Sequence, residues 1–213
     1  ETFALAAQNH QKNNLQVAEN LYKEVLNVNP NHVDAHINLG VIFHAFREFQ
    51  KAINSYQNAI QINPNHVDAL NNLGNVLKEL GEYKKAMSYY RKAIKIKPDY
   101  ASAYNNLGVA FNELGEDQKA INCFQKAIKI NSNYANAHNN LGAISNQLGK
   151  LQKAKNCYKK AIEIKPDYSE AYWNLHALAS NTDEALTVLK KLYNIDNKFI
   201  KAKIMISALQ GFK

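Results

Sequence analysis

Pro30, Pro64, Pro98 and Pro166 fall on one 34-residue grid, with Ser132 in the vacant place. Ala18, Ala52, Ala86, Ala120 and Ala154 keep the same spacing, as do Leu5, Leu39, Leu73, Leu107 and Leu141. So do the aromatics Tyr22, Tyr56, Tyr90, Phe124 and Tyr158. A gap-free interval of this length cannot enclose a core of its own, so each unit must stack on its neighbours to bury its apolar side. Within residues 101–134 the spacing is helical. Ala103, Leu107, Gly108 and Phe111 make one apolar face, and Ala120, Phe124, Ala127 and Ile128 make a second. Gly115 stands between them, where a left-handed residue can end the first helix. The small residues allow close backbone approach, and Leu107 and Phe124 fill the space between. Pro64, Pro98 and Pro166 stop the second helix where they follow it.

Composition agrees with an ordered helical chain. Of 213 residues, 46% are hydrophobic and 21% charged, with few glycines and prolines. No apolar run is long enough to span a bilayer, and "ETFALAAQNH" lacks the basic-then-apolar order of a signal peptide. The two cysteines, Cys123 and Cys157, lie one repeat apart. Stacked repeats would hold their Cα atoms roughly 10 Å apart, too far for a disulfide. Two thiols suit a reducing compartment, and a cytoplasmic location is expected.

With its period and residue pattern, the chain resembles the tetratricopeptide repeat (TPR) family over nearly its whole length. The resemblance implies an all-α fold, an α-solenoid in which helix pairs form a right-handed superhelix. The expected repeats are residues 1–32, 33–66, 67–100, 101–134, 135–168 and 169–199, a single array over 1–213. The first lacks its opening residues, and 200–213 reads as a partial seventh repeat or capping helix. Beginning and ending inside repeats, the chain is expected to be a piece of a longer protein. In the sixth repeat three residues are missing around the turn, and His176, Leu192 and Asn197 replace the usual Gly, Ala and Pro. Arg47 takes the place of Gly81, Gly115 and Gly149, so that turn is expected to be built differently. Residues 200–213 carry Ile200, Ile204, Met205, Ile206, Leu209 and Phe212, an apolar set from which self-association is expected.

The segments "HINLG", "LNNLG", "YNNLG", "HNNLG" and "YWNLH" each put Asn immediately before Leu. Asn lowers helix propensity because its amide competes for backbone hydrogen bonds. In the TPR family the first helices line the concave surface, so Asn38, Asn72, Asn106, Asn140 and Asn174 would form a ladder along a groove. Only the first repeat breaks it, with Ala4. Asn71, Asn105 and Asn139 would add a second line, and Asn75 lies one turn further on. A primary amide both donates and accepts, so a row of them can pair with the backbone of an extended chain. The pattern resembles the superhelix of O-linked N-acetylglucosamine transferase, and that resemblance supplies the peptide ligand. The competing reading is compositional. The chain holds 30 Asn, many in loops, and the rung position also makes contacts between helices.

Other chemistries find less support. Lys78 is the sole lysine on the complete first helices of repeats two to six, so the carboxylate clamp that grips acidic C-termini is absent. Asp34, Asp68, Glu79, Glu113 and Glu170 make that surface mildly acidic. Lysines concentrate on second helices, as a solvated convex face would have them. They are not interleaved with exposed aromatics, which argues against nucleic acid as a partner. His36 and His138 take a packing slot held elsewhere by Tyr104 and Tyr172, and His32 and His66 sit between repeats. None belongs to a cluster with metal-ligand spacing, and no phosphate loop or nucleophile–base pair is evident. The expected function is a non-catalytic protein–protein interaction module without cofactor, holding an extended peptide or a partner protein. The alternative is the substrate-positioning or dimerising N-terminal region of a larger glycosyltransferase, methyltransferase or sulfotransferase.

Overall fold

A computed structural model describes residues 1–211. Among them are thirteen α-helices and no β-strand. The chain divides into two compact units, Glu1–Leu114 and a second beginning at Gly115. The first unit holds α1 (Thr2–Gln11), α2 (Leu15–Val28), α3 (Val33–Ala45), α4 (Phe49–Ile62), α5 (Val67–Glu79), α6 (Tyr83–Ile96) and α7 (Ala101–Glu113). The helix starts at Val33, Val67 and Ala101 keep the 34-residue interval, as do those at Leu15, Phe49 and Tyr83.

Each pair closes through the contact of a small residue with a ring. A Cβ built on Gly40 would sit 2.6 Å from the Tyr56 ring, and one on Gly74 would sit 2.5 Å from Tyr90. Hydrogen in place of a side chain therefore lets the ring lie flat on the first helix. Tyr22, Tyr56 and Tyr90 are buried, and each such ring contributes roughly 1.5–3 kcal/mol of hydrophobic stabilisation. Ala52, Ala59, Ala86 and Ala93 are wholly buried where helices cross. Leu39 and Leu73 are buried, but their counterpart Leu5, on the first helix described, is 48% exposed.

The turns within pairs use one geometry. Gly81 has φ of 75°; its N–H reaches Lys78 O at 2.9 Å and the Glu82 N–H reaches Leu77 O at 2.9 Å. Arg47 has φ of 59°, with its N–H 2.9 Å from His44 O and the Glu48 N–H 2.8 Å from Phe43 O. The expectation of a differently built turn at Arg47 is corrected: the two closing hydrogen bonds dictate the conformation, and arginine adopts it despite its Cβ. Asn13, with φ of 61°, does the same after α1.

Between pairs, side chains replace missing backbone partners. Asn29 and Asn63 accept from the N–H groups of Asn31 and Asn65 at 3.1 and 3.2 Å, which tightens the exit from the second helix. His32 and His66 cap the next helix, each accepting through Nδ1 from Ala35 or Ala69 N–H at 3.3 Å. His36 does more than pack, since its Nε2 donates to Pro30 O at 2.8 Å.

The second unit contains α8 (Asp117–Ile130), α9 (Ala135–Gln147), α10 (Leu151–Ile164), α11 (Ser169–His176), α12 (Thr182–Ile195) and α13 (Ile200–Gly211). A Cβ on Gly142 would lie 2.7 Å from the Tyr158 ring, repeating the contact of the first unit. His138 Nε2 donates to Ser132 O at 3.0 Å, as its counterpart does to Pro30. The cysteines are free and half-buried, and burial pushes the Cys157 thiol upward.

The sixth pair departs from the rest, and the shortening falls in the helix rather than around the turn. First helix α11 has 8 residues where α9 has 13, while the link to α12 is longer. His176, in the place that Gly142 holds in the preceding pair, is buried and bonded through Nδ1 to Trp173 O. Burial lowers its pKa, with that hydrogen bond opposing. Asn181 restarts the chain as a cap, accepting from Glu184 N–H at 2.8 Å. Ala202 of α13 is buried, and Ile206 and Leu209 pack against the cluster of Tyr172, Leu189 and Leu192. Ile200, Ile204 and Met205 remain 69%, 62% and 40% exposed. Phe212, counted with this apolar set, lies outside the described residues.

Candidate functional site

On α5, Asp68, Asn72, Asn75 and Glu79 are spaced four, three and four residues apart, which aligns them along one stripe of the helix. Asp34, Asn38 and Val41 occupy equivalent places on α3, and Asn106, Val109 and Glu113 on α7. Asn38, Asn72 and Asn106 are all half-buried. Their surroundings differ. Asn38 Nδ2 donates to the Tyr22 hydroxyl at 3.0 Å. Asn106 Nδ2 donates to Asn71 Oδ1 at 3.0 Å, and Asn105 Nδ2 approaches Asn106 Oδ1 at 3.4 Å. Asn72 follows a repeat with Ile37 in the place of Asn71, and its side chain makes no hydrogen bond among the described residues. Tyr90 donates to Asn75 Oδ1 at 2.9 Å, leaving the Asn75 amide hydrogens uncommitted.

The second unit repeats the arrangement. Asn140 and Asn174 are half-buried, and Asn174 Nδ2 donates to Asn139 Oδ1 at 3.1 Å. Asn139 in turn donates to Glu170 Oε1 at 3.1 Å. Burial, with Glu170 nearby, pushes the Tyr168 phenol up to about 12.

The two lines of asparagine therefore have different environments. Asn71, Asn105 and Asn139 are 5%, 5% and 1% exposed, beneath the rungs rather than beside them. Asn71 and Asn139 serve as acceptors that orient the rung one repeat on. The groups missing from the sequence reading are the tyrosine hydroxyls that hold Asn38 and Asn75. Their signal was present: Tyr22, Tyr56, Tyr90 and Tyr158 fill an aromatic position that Phe124 shows to work without a hydroxyl.

The acidic groups of these first helices are also held by neighbours. Tyr100 donates to Asp68 Oδ1 at 2.6 Å, Tyr83 to Glu113 Oε2 at 3.3 Å, and His44 Nε2 to Glu79 Oε1 at 2.8 Å. His66 Nε2 is 3.9 Å from Asp34 Oδ1. No group of three or more His, Cys, Asp or Glu among the described residues is placed to hold a metal ion. No helix there is long and apolar enough to cross a membrane.

Comparison with known proteins places this geometry in a family. A TPR repeat model matches residues 48–81, 74–115 and 109–146, and a tetratricopeptide repeat model matches residues 135–168. No curated protein sequence matches the chain. Among solved structures, MamA is 31% identical, with 76% of this chain and 97% of that one covered and a TM-score of 0.62. TTC0263, a TPR protein of Thermus thermophilus, is 23% identical over 84% of this chain and 98% of its own, with a TM-score of 0.72. YrrB, a TPR protein with an unusual peptide-binding site, is 22% identical over 85% and 95%, with a TM-score of 0.58. The last two likenesses speak for the fold alone. Matched repeats over more than half of the sequence, on helix pairs in the same register, make the chain a member of the tetratricopeptide repeat family, whose fold is a scaffold for binding protein partners.

Proposed function

We propose that the chain is a non-catalytic interaction module that holds an extended peptide on its first helices. Asn38, Asn72 and Asn106 of the first unit contact the peptide backbone, and Asn140 and Asn174 do so in the second. Asn75 adds a donor beside Asn72. Asn71, Asn105 and Asn139 act as positioning residues. The observation that carries this reading is Asn72: a half-buried amide with no hydrogen-bond partner among the described residues, on a helix stripe where it lowers helix propensity. Packing gives no reason to keep an amide there, whereas an external N–H and C=O would use both its ends. That YrrB has a peptide-binding site on the same fold is consistent with this reading.

The test is a peptide-library binding assay on the wild type and on the Asn38→Ala/Asn72→Ala variant, with thermal melting as a fold control. Each lost hydrogen bond is worth roughly 0.5–1.5 kcal/mol, so affinity should fall by about five-fold to a hundred-fold. Binding of uncharged peptides should change little with salt, since the amides are neutral. Unchanged affinity in the variant would make the rungs structural.

A further inference from the structure

The protein as a whole is basic, with a formal net charge of +8. Its ion pairs are unevenly placed. In the first unit every lysine–carboxylate pair lies on a second helix or its cap: Lys23 with Glu19 at 2.5 Å, Lys51 with Glu48 at 2.6 Å, and Lys85 with Glu82 at 2.5 Å. The carboxylates of α3, α5 and α7 are treated differently. Asp34, Asp68, Glu79 and Glu113 have no lysine or arginine partner among the described residues, although α6 alone carries Lys84, Lys85, Arg91, Lys92 and Lys95. Their partners are hydroxyl and imidazole groups: Tyr100, Tyr83, His44 and His66. A tyrosine hydroxyl orients a carboxylate without cancelling its charge, as at Asp68 and Glu113. Asp68 and Glu79 bracket Asn72 and Asn75 on one stripe, and the sole cation of these three helices is Lys78.

We infer that the groove selects a basic peptide, with lysine or arginine side chains reaching Asp34, Asp68, Glu79 and Glu113 while the rungs hold its backbone. This rests on the reading of the first-helix face as a peptide groove and adds the side-chain chemistry that amides cannot supply. The lysine-rich second helices support the selection by repelling the same peptide from the rest of the surface, so that its attraction is confined to the first helices.

Three extended peptides of one backbone sequence, carrying lysine, glutamine or glutamate at alternate positions, separate the possibilities by fluorescence anisotropy on the full chain. At low salt the lysine peptide should bind roughly ten-fold tighter than the glutamine peptide, as two or three partly exposed ion pairs allow, and the glutamate peptide weakest. High salt should erase most of this order. The variant Asp34→Asn/Asp68→Asn/Glu79→Gln/Glu113→Gln keeps hydrogen-bonding capacity, and in it the lysine affinity should fall to that of the glutamine peptide. Asn38→Ala/Asn72→Ala should weaken all three alike. Equal affinities for the three peptides, or a preference for glutamate, would overturn the charge selection and leave the amide reading standing. If none of the three bound, both would fall.

Discussion

At Gly74 the space available is set by the Tyr90 ring, which a Cβ would meet at 2.5 Å. The ring is fully buried and its hydroxyl is engaged with Asn75, so it has little freedom to retreat. Gly74→Leu should therefore destabilise the first unit by about 1–3 kcal/mol, as overpacking does, even though leucine is the better helix former. Urea denaturation would read this as a lower midpoint at unchanged slope. The same residue-level constraint explains why the rung asparagines were legible from spacing but their setting was not. Asn71 and Asn72 are adjacent, identical and equally polar, yet one is buried and the other half-exposed. Only the helix packed on the neighbouring side distinguishes them.

Helices α1, α3, α5 and α9 end through a shared device, a left-handed residue with two closing backbone hydrogen bonds. Arg47 fills that place at a steric cost that glycine would avoid, in the range of 1–2 kcal/mol for an L-residue. Glycine would loosen the unfolded chain and would remove the Arg47 guanidinium from over the Phe49 ring at 5.3 Å, so the net gain is smaller. Arg47→Gly should stabilise the protein by about 0.5–1 kcal/mol, measurable as a higher melting temperature. The sixth pair shows an element altered by more than one substitution. Shortening α11 ends its stripe at His176, so the rung Asn174 has no residue one turn further along a helix as Asn72 has in Asn75.

Across the whole molecule, a buried phenol occupies the same place in four repeats, at Tyr22, Tyr56, Tyr90 and Tyr158. Burial raises the pKa of Tyr22, Tyr56 and Tyr90, and it pushes Tyr158 up to about 12, from an ordinary value of 10.0. The folded state thus retains these protons where the unfolded chain gives them up. Their contribution to stability is complete below pH 10 and is lost as pH rises toward 12 and beyond. Denaturant midpoints should fall steeply above pH 10, and phenolate absorbance of the buried rings should appear together with loss of helical circular dichroism. If those rings ionised with the helices intact, the rings would not be sealed. At the other extreme of the chain, the outer face of α13 carries the exposed Ile200, Ile204 and Met205. Ile204→Ser/Met205→Ser should reduce self-association in analytical ultracentrifugation without lowering the melting temperature, because neither side chain is buried; a wild type that stays monomeric at high concentration would refute this.

Period and helix pairing were determined by the sequence alone. A 3.6-residue pattern nested in a 34-residue one requires stacked helix pairs, but that Gly40, Gly74 and Gly142 meet the rings of Tyr56, Tyr90 and Tyr158 emerged only once the helices were packed. The tertiary structure decided what depends on a neighbour. Leu5 is exposed where Leu73 is buried because stacking, rather than the residue, removes it from water. His32 and His66 became helix caps because the turn brings Nδ1 to a backbone N–H. Asn71 and Asn139 became buried acceptors for Asn106 and Asn174, and the carboxylates of α3, α5 and α7 met tyrosine and histidine side chains while Glu19, Glu48 and Glu82 met lysines. Hydrogen-bond partners 30 to 35 residues away are chosen by how one repeat seats on the next, and that geometry is not written in any single repeat.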